Sequence, residues 1–266
     1  MSGPQRIRAG FDAAAADRRT ALIAYILSGF PSDKNALAGA EAALESGADM
    51  LEIGVPFSDP MADGPTIANA GRVALATGGG LASARRLVAA LRRRGHRQPL
   101  MVMTYLNPLL AAGEGPTLRS LRDAGADGLI VPDLPARASP RTERLADSIG
   151  LAISFLVAPN TAGARLDAAI AASTGFVYVV PLFGVTGTRE SVASGAAALV
   201  ASIRDRAAGR VPVAAGFGIG TAGQVAELAA AADGLVVGSA LVAAIRDGGP
   251  AALGVLIREL AGGVRG

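Results

Sequence analysis

Short apolar runs alternate with longer stretches of helical periodicity along nearly the whole chain. After a helical segment at 5–16, strands are expected at 21–27, 48–55, 100–104, 128–131, 151–157, 176–180, 211–215 and 234–237. Each is short and mainly apolar, as a strand covered on both faces must be. Helical patterns fill the intervals at 33–45, 81–94, 116–124, 137–149, 164–172, 191–206 and 222–231, and the end of the chain is also helical. Ser32 stands where a cap belongs, with a hydroxyl that can accept from a first-turn N–H. Eight strand-then-helix units predict an α/β fold, a single (β/α)8 TIM barrel. The barrel domain covers 1–266, with 1–19 as an N-terminal helical extension.

A weak internal echo agrees with that topology. Gly47-Ala48-Asp49, Gly125-Ala126-Asp127 and Ala231-Ala232-Asp233 each precede a strand, so one turn is reused on the face where strands begin. An open doubly wound sheet is the competing arrangement, but no Gly-x-Gly-x-x-Gly follows the first strand.

Composition narrows the class. Hydrophobic residues make up 51% of the chain and charged residues 18%, enough for a large aliphatic core and too apolar for disorder. The most continuous apolar stretches, 151–159 and 176–185, are well short of the ~18 residues that span a bilayer. Arg6, Arg8 and Asp12 occupy the place of a signal-peptide core, and there is no Cys for a disulfide or a thiolate, so a cytoplasmic enzyme is expected. The net charge is +3, carried mainly by Arg, with Lys34 the one Lys. The densest cationic run, Arg92-Arg93-Arg94-Gly95-His96-Arg97, has no aromatic residue to stack on a base and is expected to be a solvated helix end.

The candidate chemistry lies at strand exits. Glu52 sits where the second strand ends, and a Glu in an apolar run needs either an ion-pair partner or a chemical task. Both readings stay open from the residue alone, and its place at the carboxyl end of a barrel strand favours catalysis. Asp63 follows in a loop rich in Pro and Gly and is expected to stay ionised there; Asp133 and Tyr178 mark two further exits. Gly216-Phe217-Gly218 and Gly238-Ser239-Ala240 follow the last two strands, where barrels hold phosphate on bare N–H groups and a helix N-terminus. The loop 183–188, with Gly184 and Gly187, reads as a hinged lid or as an ordinary loop. Lys34 falls in a first helical turn and offers no Schiff base, and His96, the one His, falls at the far end of the barrel, so no metal is expected. Proton transfers then rest with carboxylates, tyrosines and water.

The run Leu51-Glu52-Ile53-Gly54-Val55-Pro56-Phe57-Ser58-Asp59-Pro60-Met61-Ala62-Asp63-Gly64-Pro65 resembles the signature of the tryptophan synthase alpha chain family. Met103-Thr104-Tyr105-x-Asn107-Pro108, Val131-Pro132-Asp133-Leu134-Pro135, Gly184-Val185-Thr186-Gly187, Gly216-Phe217-Gly218 and Gly238-Ser239-Ala240 follow in the family's order. The resemblance implies cleavage of indole-3-glycerol phosphate to indole and glyceraldehyde 3-phosphate without a cofactor in this chain. It implies Glu52 as the acid–base group, Asp63 as acceptor from the indole N–H, and Tyr178 as the residue that positions Glu52. The N–H groups of Gly187, Gly218, Gly238 and Ser239 would hold the phosphate. Asp59, Pro60, Asn107, Pro135 and Thr186 match positions that face or couple to a beta chain, which would carry pyridoxal phosphate in an α2β2 assembly. The chain departs from the family pattern at Pro181-Leu182-Phe183, Leu27 and Ala68. A stand-alone lyase releasing free indole and a non-catalytic barrel that regulates a beta chain are the alternatives.

Overall fold

The computed structural model describes residues 1–180, 189–216 and 218–264. Nine strand segments pair in parallel: β1 Ala21–Leu27, β2 Met50–Gly54, β3 Leu100–Met103, β4 Gly128–Ile130, β5 Ala152–Ser154, β6 Leu156–Val157, β7 Val177–Val179, β8 Val213–Gly216 and β9 Gly234–Val237. Their order is β5-β4-β3-β2-β1-β9-β8-β7-β6, so the two edges are β5 and β6. Only Phe155 separates those two, and they are halves of the strand expected at 151–157. The first half pairs with β4 and the second with β7. At the changeover the Phe155 N–H donates to Ser173 Oγ (3.3 Å) while its carbonyl accepts from Tyr178 (2.9 Å). One strand thus serves both neighbours and closes an eight-membered barrel.

The helices are α1 Gly3–Ala16, α2 Asp33–Glu45, α3 Pro65–Ala76, α4 Leu81–Arg93, α5 Leu106–Ala111, α6 Glu114–Ala124, α7 Pro140–Ser148, α8 Ala164–Ala172, α9 Arg189–Ala207, α10 Ala222–Ala229 and α11 Ser239–Gly263. Ser32 caps α2 as expected, accepting from Asn35 N (3.2 Å). Two helices, α3 and α5, lie where the pattern indicated loop. The face α3 buries is Ala70, Gly71 and Ala74, small residues with a weak apolar signature, and α5 contains Pro108 in six residues. By composition α11 is long and apolar enough to cross a membrane, unlike the short runs counted above. Its backbone breaks at Gly249 (φ +69°) before Pro250, and Leu241, Ile245, Leu253 and Ile257 are buried within the fold.

Alternation along the strands sorts the core into two layers. Leu22, Ala24 and Ile26 of β1 and Leu51 and Ile53 of β2 face the surrounding helices. Ile23, Met50, Met101, Ile130, Phe176, Ala214 and Val236 fill the lumen, and α1 closes its lower end with Ile7, Phe11 and Ala14. Phe11 meets Phe176 edge-on at 5.8 Å.

The repeated turn has a physical task on this lower face. Asp49, Asp127 and Asp233 each accept from the first N–H groups of the preceding strand: Leu22 at 2.8 Å, Leu100 at 2.9 Å and Val213 at 2.8 Å. Asp127, 1% exposed, also pairs with Arg6 of α1 and Arg92 of α4. The expected solvated helix end is therefore only partly so. Arg93 and Arg94 are exposed, but Arg92 is half-buried and donates to the carbonyls of Gly125, His96 and Gln98, which tie down the loops beneath the barrel.

Candidate active site

Glu52 is in register with Tyr25 on one side and Met101 on the other, on the same side of β2 as the lumen residue Met50. The apolar layer beneath it leaves the carboxyl 1% exposed, with Oε2 unpartnered. Burial pushes its pKa up to about 8; a hydrogen bond from Tyr178 opposes the rise and the Asp63 charge adds to it. Strand β7 lies four places from β2 in the ring of eight, so Tyr178 reaches Glu52 across the lumen. Two glycines make the room. A Cβ at Gly216 would stand 2.6 Å from the Tyr178 hydroxyl, and one at Gly54 would stand 2.1 Å from the hydroxyl of Tyr25.

Asp63 approaches from the loop between β2 and α3. That loop is less polar than its sequence suggests, because Phe57 packs on the ring of Tyr105 with centroids 5.2 Å apart. Asp63 is half-buried, and desolvation raises its pKa to about 6, with a hydrogen bond from Tyr105 holding it lower than burial alone would. The expectation of an ionised Asp63 survives at pH 7, but the environment is a desolvated pocket rather than open loop.

Both carboxylates line one cavity of about 270 Å³ with Tyr25, Tyr178, Met103, Leu156, Val180 and Val236. Gly218, Gly238 and Ser239 also line it. Ser239 opens α11; the helix's bonds begin with Leu241 and Val242 donating to the Gly238 carbonyl, so the N–H groups of Ser239 and Ala240 lie ahead of them at the helix head. An anion beside them is favoured by those donors and by the helix dipole. The cavity therefore brings together an apolar lining, two carboxyl groups of unlike pKa and a helix N-terminus.

The remaining candidates fall elsewhere. Asp133 does not line the cavity; its Oδ1 accepts from Leu106 N (2.9 Å) and fixes the head of α5. Asp59, Asn107 and Pro135 are exposed and Pro60 is half-exposed, on loops leaving β2, β3 and β4 around the same rim. Thr186, Gly187, the lid at 183–188, Pro181-Leu182-Phe183 and Phe217 lie outside the described residues. Lys34 is exposed on α2, and His96 lies 3.7 Å from Glu41 near the lower end. Among the described residues no cluster of three His, Cys, Asp or Glu side chains could hold a metal. Two residues carry more than the sequence reading assigned them. Alternation along β1 from Ile23 points Tyr25 inward, a signal present in the sequence; Tyr105 stood in a quoted motif without a role.

These features define a (β/α)8 barrel with two desolvated carboxyl groups and a helix N-terminus lining one cavity at the carboxyl ends of its strands. The profile of the family described as "Tryptophan synthase alpha chain" matches residues 11–258. The alpha chain of Roseiflexus sp. is 43% identical over 245 residues, covering 92% of this chain and 93% of that one. The alpha chain of Streptomyces coelicolor is also 43% identical, over 96% of this chain and 94% of its own. Among solved structures, tryptophan synthase from M. tuberculosis in its aminoacrylate-bound form superposes with a TM-score of 0.88 at 38% identity, covering 98% of this chain and 99% of that one. The alpha subunit from Legionella pneumophila gives a TM-score of 0.88 at 30% identity, over 99% of this chain and 98% of that one. The chain belongs to the tryptophan synthase alpha chain family.

Proposed function

We propose that this chain cleaves indole-3-glycerol phosphate by a retro-aldol reaction, giving indole and glyceraldehyde 3-phosphate in tryptophan biosynthesis. The observation that carries the reading is the pairing of unlike carboxyls over one cavity: Glu52 is pushed up to about 8 and Asp63 only to about 6. At pH 7 the first holds its proton and the second has lost it, which is how one site supplies both an acid and an anion.

Each group then has a task. Glu52 gives its proton to C3 of the indole ring, which becomes tetrahedral and leaves positive charge on the nitrogen. Asp63 accepts from the ring N–H and stabilises that charge, most strongly in the water-poor pocket. The Glu52 carboxylate next takes the proton from the glyceryl hydroxyl on the carbon bonded to C3. The carbon–carbon bond breaks, its electron pair restores the aromatic ring, and the hydroxyl carbon leaves as the aldehyde. Glu52 ends protonated as it began, so the step balances without a cofactor. Tyr178 fixes the orientation of Glu52. The N–H groups of Gly218, Gly238, Ser239 and Gly187 take the phosphate, with α11's dipole behind them.

The same reading extends to an assembly. Asp59, Pro60, Asn107 and Pro135 lie on the loops that leave the adjacent strands β2, β3 and β4, together with Met61 (76% exposed) and Leu110 (57% exposed). Thr186 belongs to this coupling set by its position in the family motif. We read the rim as the seat of a beta chain in an α2β2 tetramer, with pyridoxal phosphate confined to that partner and the assembly in the cytoplasm.

Glu52→Gln and Asp63→Asn test the chemistry in an assay of indole release. Glu52→Gln is expected to lower kcat by at least the ~10²–10⁴ that general acid–base catalysis contributes. Activity within tenfold of the unmodified chain would remove Glu52 from the role.

A further inference from the structure

Tyr105 ends the β3 exit and is 3% exposed, with its ring against Phe57. Its hydroxyl oxygen accepts from Ala62 N at 2.9 Å. A phenol has one hydrogen, and with its oxygen occupied by Ala62 that hydrogen is free for the neighbouring carboxylate of Asp63. The residue after Tyr105 is fixed as well, since Leu106 N donates to Asp133 Oδ1 at 2.9 Å. A single hydroxyl thus joins two segments, the loop that carries Asp63 and the head of α5, and neither end of the connection is free to drift.

We propose that Tyr105 is the positioning residue for Asp63: its hydroxyl clips the loop at 62–63 to the head of α5 and directs its hydrogen to the Asp63 carboxylate. The proposal rests on the reading of Asp63 as acceptor from the indole nitrogen. Donation to a carboxylate stabilises its charged form, which opposes the desolvation acting on Asp63. The other titratable groups facing this point are Glu52 on β2, Tyr25 on β1 and Tyr178 on β7, with Asp133 behind Tyr105. None of these is cationic, so Tyr105 is the donor among the described residues that holds Asp63 down. Asp63 would otherwise titrate within the working range.

The test is the pH profile of indole-3-glycerol phosphate cleavage by the full chain. The unmodified chain should give a bell, with an acid limb near 6 where Asp63 ionises and an alkaline limb near 8 where Glu52 loses its proton. Tyr105→Phe keeps the ring and its contact with Phe57 and removes only the hydroxyl. Its acid limb should move up by at least about half a pH unit, so that activity at pH 6 relative to pH 7.5 falls by about a further twofold or more, while the alkaline limb stays in place. Carbon-13 NMR titration of the Asp63 carboxyl should show the same upward shift without substrate. A Tyr105→Phe profile parallel to the unmodified one, merely lower throughout, would reduce Tyr105 to packing and overturn the proposal. Asp63→Asn separates this from the underlying reading: if that variant cleaves substrate normally, the role of Asp63 fails whatever Tyr105 does.

Discussion

Glu52 holds its proton at the expense of the fold. Its pKa in the native chain is about 8, against an ordinary value of 4.5. Between those two pH values the native state binds a proton that the unfolded state has released, so resistance to unfolding falls as pH rises through that window. Below 4.5 both states are protonated and the penalty vanishes. Asp63 acts in the same direction over a narrower range, up to about 6. Gln is neutral and of the same shape, so Glu52→Gln should be more stable than the unmodified chain in urea, with an advantage that grows from pH 5 to pH 8. A constant difference between the two pH values would mean that Glu52 is not buried as a neutral acid. Gained stability with lost activity is the expected signature of a strained catalytic group.

At the scale of elements, α1 is the least obvious contributor, because a helix ahead of the first strand looks dispensable in sequence. It is the floor of the lumen: Phe11 is 5% exposed and fills space that no strand residue reaches. Phe11→Ala should cost about 3–5 kcal/mol, the range for emptying a buried aromatic site, read as a lower urea midpoint. An effect below about 1 kcal/mol would mean that the helix only rests on the barrel. The strands were legible because each is a short, mainly apolar run, and β1 and β9 fall on the residues expected. Their places near the strand exits also singled out Glu52 and Tyr178. The apolar pattern did not carry α3, whose buried face of Ala70, Gly71 and Ala74 is too small to register as an apolar stripe. Nor did it resolve the split at Phe155, which depends on which neighbour each half meets and so belongs to closure of the ring. The environment of Asp63 was hidden for a similar reason. Its loop is polar by composition, and the desolvation comes from the cavity it lines, which only the fold assembles.

For the whole molecule, the exposed rim is where the proposed beta chain would be expected to sit. Leu110 projects from α5 with 57% of its surface exposed, beside the exposed Asn107 on the same short helix. Exposed large apolar residues around an active-site mouth are expected of a surface that another chain covers. A beta chain added to this one should raise indole-3-glycerol phosphate turnover and co-elute with it. Leu110→Glu places a charge on the face without touching the cavity, and a buried unpaired charge in an interface is costly. That variant should bind a beta chain at least about tenfold more weakly, roughly 1.4 kcal/mol, with the turnover of the isolated chain unchanged. Stimulation equal in both would place the contact elsewhere on the rim. No stimulation of the unmodified chain by any beta chain, with free indole accumulating at full rate, would instead favour a lyase that needs no partner.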